Sequence, residues 1–487
     1  MKRSFYIDSL CLVLVLSLLT GCAGSSSPGT ALSADNVNLI FVVSPDLTYQ
    51  TAGDVSPSTA NLAPQGLQRS LLLASYLKTQ VLGGKNVNGI YALSPMSHLQ
   101  TASEYPDMAA IGFIQQFALL NRDTRPLDKA GNTYTANSFP IYAAYKRGAE
   151  PVGVAVPEPL SLSDCTACQG LDFKNTATNT QLVADIVSKK SPGFHVFSAP
   201  WETISALLQS INSQQGYGLN LPTAFMGSNH VYAISIAASG SAKLVSYNSQ
   251  LNPVSVYPAL PLPVASASCT HLLQPSFLAT RIGGVNGAVI PSNINKNKTV
   301  YIVRHAEAHP DEKFEFENGN YVAAGQWRAL ELGHTLSSKL NPPPNMVYSV
   351  DPAQSIASFV NASYVRPSLT VLPYAIAHNL PYKLAASFSL MVLDPKVPAK
   401  PASDFFFTGG TFSNQVMLLG WESQRINPFI NALLDSYGGT ETDRAWPGDD
   451  YDTIWTVKTD ASGNLAVDND LCEGIDSTKL PEMAPLF

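Results

Sequence analysis

Charge is scarce in this chain. Asp, Glu, Lys and Arg make up 13% of its 487 residues, against 45% hydrophobic. That balance excludes a disordered chain, which is polar and highly charged. Basic residues are the scarcer sign, 29 against 36 acidic, for a formal charge of −7. Nucleic acid is therefore not an expected partner, since it needs clustered Lys and Arg. Long apolar runs are missing everywhere but the N-terminus, which excludes a polytopic membrane protein. No glycine-rich phosphate loop is visible. The length leaves room for two or three domains.

The N-terminus reads as an address. Lys2 and Arg3 precede an apolar run from Leu10 to Leu19, too short to span a bilayer comfortably. The run ends Leu19-Thr20-Gly21-Cys22, which resembles the bacterial lipobox. That resemblance implies a signal peptide over 1–21, cleavage before Cys22 and a lipid on its thiol. Residues 22–34 form a tether. Ala23, where an Asp would signal inner-membrane retention, points by the same resemblance to the outer membrane of a Gram-negative bacterium, facing the periplasm or the cell surface. The membrane partner is reached through lipidated Cys22, since no polybasic patch is evident.

Cysteine is sparse as well. Cys11 leaves with the signal and Cys22 takes the lipid, so Cys165, Cys168, Cys269 and Cys472 remain, in an oxidising compartment. Four cysteines allow three pairings, and the sequence does not choose among them. Cys165-Thr-Ala-Cys168 has the spacing of a redox motif without its strand–helix context. A zinc set of Cys165, Cys168, Cys269 and His271 is a further alternative to structural disulfides.

What the chain does have is repetition. NLIFVVSP (38–45) recurs as KTVYIVRH (298–305), with Ser44 opposite Arg304 and Pro45 opposite His305. LAPQGLQRSLLLASYL (62–77) recurs as YVAAGQWRALELGHTL (321–336), with Arg69 opposite Arg328. WETISALLQSI at 201–211 faces WESQRINPFINALLDSY at 421–437, and HVYAISIAASG at 230–240 faces DTIWTVKTDASG at 452–463. The offset is 260 from Ser44 to Arg304 and 220 from Trp201 to Trp421, so the first copy carries extra residues around 103–195. The alternative is two unrelated α/β units that share generic strand and helix patterns. Domain one is expected at 35–258, a Pro/Ser/Ala/Asn-rich linker at 259–296, and domain two at 297–487, with its last residues, from Asn464, as a packed loop tail. Strands alternating with helices predict an α/β fold, each domain a mainly parallel sheet flanked by helices. Sites in such sheets lie at the carboxyl ends of strands.

One such strand end carries chemistry. Val300–Val303 leads straight into Arg304-His305-Ala306-Glu307, a cation and an imidazole side by side, which suit an anionic ligand. TVYIVRHAEAHP resembles the Arg-His-Gly opening of the histidine phosphatase (phosphoglycerate-mutase-like) superfamily, with Ala306 in the Gly position. GQWRALELG resembles the helix that follows. SYVRPSLTVLPYAIAHNLP (363–381) resembles the block with the second phosphate-binding arginine, which maps to Arg366, with Thr370 four residues on. VMLLGWES (416–423) resembles the strand ending in the second histidine, and WPGDDYDTIWTV (446–457) the last strand. The resemblance implies His305 as nucleophile, Arg304 and Arg366 as a clamp on phosphate or a small phosphorylated ligand, and no metal or other cofactor. Two guanidiniums can hold a phosphoryl group bidentately, and a neutral imidazole can attack phosphorus.

The departures from that pattern matter equally. The second histidine is missing, its place held by Ser423, or by Trp421 in the other alignment. Glu422, Glu307 and Asp351 are the candidates for acid donor, in that order. His309 can line the pocket, His334 reads as structural and His378 as a loop residue. The phosphate-binding set is thus Arg304, His305, Arg366 and Ser423. In the first copy Ser44-Pro45 replaces Arg-His, Ser97 replaces the arginine with His98 out of register, and Trp201-Glu202-Thr203 lacks the histidine. That copy is expected to fold and to be inert. Three readings stay open: a phosphomonoester hydrolase using domain two alone, a pseudophosphatase that binds a phospho-ligand or acts as a scaffold without turnover, and a purely structural protein-contact module.

Overall fold

The computed structural model describes residues 30–126, 130–143, 169–269, 280–282, 289–308, 317–353, 355–357, 360–385, 399–439 and 446–487. Residues 1–29 with Cys22, the Cys165–Cys168 pair, His271 and His309 lie outside the described residues.

The first half runs β1 (Val37–Val43), α1 (Pro64–Tyr76), β2 (Gly89–Ala92), the short pair β3 (Leu99–Gln100) and β4 (Tyr105–Pro106), α2 (Ala109–Ala118), the hairpin β5 (Arg122–Pro126) and β6 (Thr133–Asn137), α3 (Thr176–Ser188), β7 (Gly193–Ala199), α4 (Trp201–Gln215), β8 (His230–Ile236) and β9 (Ala242–Asn248). All seven residues of β1 are buried. An unbroken apolar strand of that kind belongs in the middle of a sheet covered on both faces. It does lie there: the order is β2-β7-β1-β8-β9, with β2, β7 and β1 parallel and β8 and β9 antiparallel. Pro64 opens α1, where a missing N–H is harmless, and Gly216, at φ 63°, closes α4.

The second half runs β10 (Thr280–Ile282), β11 (Lys298–Arg304), α5 (Ala323–Lys339), β12 (Met346–Val350), the pair β13 (Ser355–Ala357) and β14 (Val360–Ser363), α6 (Arg366–Ala377), β15 (Tyr382–Ala385), α7 (Ala399–Phe407), β16 (Val416–Trp421), α8 (Ser423–Ser436), β17 (Thr453–Thr459) and β18 (Leu465–Cys472). The sheet order is β10-β18-β17-β11-β16-β12-β15. Strands β15, β12, β16 and β11 are parallel, and β17, β18 and β10 continue antiparallel. Five of these strands, β12-β16-β11-β17-β18, repeat the order and directions of the whole first sheet. The fold is mixed α/β with parallel-containing sheets, as the alternation of strands and helices predicts.

An apolar cluster runs between the halves, joining Leu67 and Leu71 of α1 and Ile111 of α2 to Leu330 of α5 and Leu372 of α6. Polar bonds accompany it: Gln115 Nε2 donates to Asn320 Oδ1 at 2.8 Å, and Asn61 Nδ2 to the Leu380 carbonyl at 2.9 Å. The described part of the expected linker is packed rather than loose: the Ala267 N–H donates to the Gly474 carbonyl at 2.9 Å, and the Ala265 carbonyl accepts from the Asp476 N–H at 3.0 Å. The Tyr257 hydroxyl donates to the Leu330 carbonyl at 2.8 Å and its ring meets His334 edge-on, which gives His334 its structural role.

One expectation is corrected, and of the cysteine readings the structural disulfide holds for one pair over the zinc set. The tail begins with a sheet strand, β18, where a loop was expected. Leu465, Val467 and Asn469 point inward by alternation, and the intervening Asp468 and Asp470 disguise it. Cys269 is disulfide-bonded to Cys472, with Cα atoms 5.5 Å apart, and so is no zinc ligand. Among the described residues no helix is long and apolar enough to cross a membrane.

Candidate functional site

The site is built where β11 and β16 end side by side. The two strands pair in parallel up to Arg304 opposite Trp421, and the His305 N–H adds one more ladder bond to the Trp421 carbonyl at 3.1 Å. Glu422 then turns the chain and Ser423 begins α8. Arg366 begins α6, and two glycines bring that helix to the strand ends. A Cβ on Gly420 would stand 2.7 Å from the Pro367 carbonyl oxygen, so only glycine lets the first turn of α6 lie on β16. Gly319, at φ +78°, would put a Cβ 1.9 Å from the Ser363 carbonyl oxygen, and its own carbonyl accepts from the Arg366 N–H at 3.0 Å. Arg304, His305, Arg366, Glu422 and Ser423 thus share one edge.

Their side chains are held from several sides. Arg304 Nη1 donates to the carbonyls of Pro447, Gly448 and Asp450 at 3.1, 2.8 and 3.0 Å. Its guanidinium carbon lies 4.1 Å from the centre of the Tyr451 ring. That of Arg366 lies 4.8 Å from the centre of the Tyr364 ring. The His305 ring sits 6.2 Å from each tyrosine, edge to face. Arg304, His305 and Arg366 are all buried, at 2%, 1% and 0% exposure. Burial lowers the Arg366 pKa to about 10; Tyr451 and Glu422 push back up, and Arg304 pushes further down. Arg366 remains a cation at neutral pH, and the mutual effect of the two guanidiniums puts them in one electrostatic neighbourhood.

His305 Nδ1 lies 2.9 Å from the Ala306 carbonyl oxygen. A carbonyl only accepts, so Nδ1 carries the proton and the neutral ring has its lone pair on Nε2. Thr370 ties the pieces together. Its Oγ1 accepts from the Ala306 N–H and donates to the Arg366 carbonyl, both at 2.8 Å.

Of the three acid candidates, Glu422 faces this cluster. Its Oε1 accepts from Ser423 Oγ at 3.1 Å, its Oε2 is buried with no hydrogen-bond partner among the described residues, and it acts by charge on Arg366 and Tyr364. Glu307 instead gives Oε1 to Arg328 Nε at 2.8 Å and to Ser477 Oγ at 2.8 Å. Arg328 also reaches Glu473 at 2.5 Å and Asp452 at 3.5 Å. Burial, aided by Asp452 and opposed by Arg328, pushes Glu473 up to about 8, so this cluster keeps a proton and leaves Glu307 a structural partner. Asp351 accepts from the Ala353 N–H at 2.9 Å in a turn. Ser423 is buried at its predicted place. The other described histidines lie away from this edge: His334 against Tyr257, His378 against Tyr374, and His98, His195 and His230 in the first half.

Sequence reasoning passed over Tyr364 and Tyr451. The signal was available: Tyr364 stands two residues before Arg366, and Tyr451 closes the turn whose carbonyls hold Arg304.

At the corresponding edge of the first sheet, His98 Nδ1 lies 3.2 Å from Asp107 Oδ2, and its ring stacks on Phe173 at 3.9 Å. Burial works against a charged His98, but the Asp107 bond and the charges of Asp107, Asp46 and Glu202 outweigh it and raise its pKa. Burial and the nearby Asp107 push Asp46 up to about 6, against its backbone bonds and His98.

No protein-family model matches the chain, and no curated protein matches it. Among solved structures it is similar to the native structure of a mycobacterial glucosyl-3-phosphoglycerate phosphatase, at 9% identity, over 33% of this chain and 89% of that one, with a TM-score of 0.21. At that score the superposition is slight, and the chemistry of the site stands on its own residues.

Proposed function

We propose that this chain is a lipid-anchored, histidine-phosphatase-like protein of two tandem domains, about 35–258 and 297–487, and that the second hydrolyses a phosphomonoester through a phosphohistidine on His305. One observation carries the reading: Arg304 on Tyr451 and Arg366 on Tyr364 flank the imidazole at a strand end. The repeated five-strand order supports the tandem reading. The Leu19–Cys22 motif supports an outer-membrane lipid anchor facing the periplasm or the surface.

In this mechanism Nε2 of His305 attacks phosphorus and a P–N bond forms as the bond to the leaving alkoxide breaks. The guanidiniums of Arg304 and Arg366 stabilise the charge on the phosphoryl oxygens. Glu422 supplies the proton to the alkoxide. Water then attacks phosphorus and gives a proton to the Glu422 carboxylate, the P–N bond breaks, phosphate leaves, Nε2 regains its lone pair and Glu422 is again an acid. Release of phosphate from a generic phosphomonoester between about pH 4 and 8, with His305→Ala as the matched control, tests this. Turnover that vanishes in the variant supports hydrolysis.

The second reading is a binding protein without turnover, and Ser423 favours it. That position carries a hydroxyl where a second imidazole would stand. Orthophosphate binding that depends on Arg366, without turnover above the His305→Ala control, selects it. Neither binding nor turnover overturns both.

A further inference from the structure

We propose that Tyr364 is a ligand-binding residue of the second edge, its phenolic O–H donating to a non-bridging oxygen of the phosphoryl group held by Arg304, His305 and Arg366. The proposal rests on the functional reading above and adds a donor to it. Tyr364 is 1% exposed, and its ring is fully used. The Arg366 guanidinium lies 4.8 Å from its centre and the His305 ring meets it at 80°. Its hydroxyl, by contrast, is buried with no hydrogen-bond partner among the described residues. A phenol taken out of water finds a partner as a rule, because an unmet hydroxyl loses free energy.

Packing does not account for the oxygen. A phenylalanine would keep the contacts to Arg366 and His305 without that loss. Nor is the hydroxyl spent on Glu422, which acts on it by charge and not through a hydrogen bond. Burial first, and Glu422 next, push the phenol well above its ordinary pKa, against the pull of Arg304 and Arg425. The oxygen therefore keeps its proton at neutral pH and can donate it in a hydrogen bond. A fixed O–H donor beside two guanidiniums recognises an anionic oxygen rather than a cation. It also supplies on this edge a neutral donor that Ser423, turned onto Glu422, does not.

Calorimetric titration of the full chain with orthophosphate tests this, on wild type, Tyr364→Phe and Arg366→Gln, beside thermal melts without phosphate. Tyr364→Phe is expected to melt no lower than wild type, because it removes only an unmet hydroxyl. Its orthophosphate affinity is expected to fall about tenfold or more. Tyr364→Phe binding as tightly as wild type, while Arg366→Gln loses binding, overturns the proposal and leaves the functional reading standing. A melt lowered by several degrees assigns the hydroxyl a structural role and also overturns it. If wild type itself binds no orthophosphate, the functional reading fails and the proposal falls with it.

Discussion

Arg304, His305 and Arg366 stand at the carboxyl edge of the second sheet, while Asp46, His98, Asp107 and Glu202 stand at that edge of the first. The frames are alike: five strands in the same order, each with a fully buried central strand. The charge is opposite. Two buried cations with one carboxyl group at their side invite an anion; three carboxyl groups around one imidazole do not. A strand is kept in place by its apolar run and its ladder. The residues just beyond its end answer to neither, so they can change sign without disturbing the sheet. The first edge is therefore not a weaker version of the second, and it has no buried guanidinium among the described residues with which to hold a phosphate.

The helices behind the edges differ in the same way. Arg69 in α1 pairs with one carboxylate, Asp54, at 2.9 Å, and reaches Asn229 Oδ1 at 2.5 Å. Arg328 in α5 sits among Glu307, Asp452 and Glu473. Removing a partner from a buried ionic cluster leaves charge uncompensated. Arg328→Ala, which strands two carboxylates and the buried acid of Glu473, is expected to cost about 3–5 kcal/mol of stability in denaturant unfolding. Arg69→Ala, which strands one, is expected to cost less. Equal losses would break the contrast. The disulfide sharpens it further, since Cys269–Cys472 fastens β18 and nothing described fastens β9 likewise. Cys472→Ser is expected to cost about 2–4 kcal/mol. In hydrogen exchange, protection should fall in β17 and β18 and hold in β8 and β9; a uniform loss would count against separate stabilisation of the second sheet.

How much of this was legible in the residues follows from what each level of structure depends on. The central strands and the α1 and α5 helices were readable because an unbroken apolar run marks VNLIFVV and helical periodicity shows in the i, i+4 spacing of Leu332 and Leu336. Arg304, His305 and Arg366 were readable because the chemistry demands those residue types. Tyr364 and Tyr451 were not, since a tyrosine has no unique role until the fold shows what its ring touches. Strand β18 was hidden by Asp468 and Asp470 on its outer face. The Cys269–Cys472 pairing is a fact of distance between segments 203 residues apart, which spacing does not encode.

The smallest expected effect separates the edges by pH. Asp46 has its pKa raised from 3.8 to about 6 in the folded chain, by burial first and by Asp107 after it. Below the unfolded value both states hold the proton. As pH rises from about 4 through 6, the unfolded carboxyl ionises first, so the contribution of Asp46 to stability is lost across that window. His98, also raised, acts in the same direction, its contribution fading as pH climbs past its folded value. Asp46→Asn keeps an acceptor for the Thr48 and Tyr49 amides while removing the titration. The variant should therefore melt higher than wild type at pH 7 and match it at pH 4. Melts of both chains across that range decide it. A gain that does not change with pH would mean that the carboxyl is ionised throughout, and that the first edge does not hold the protonated acid its burial implies.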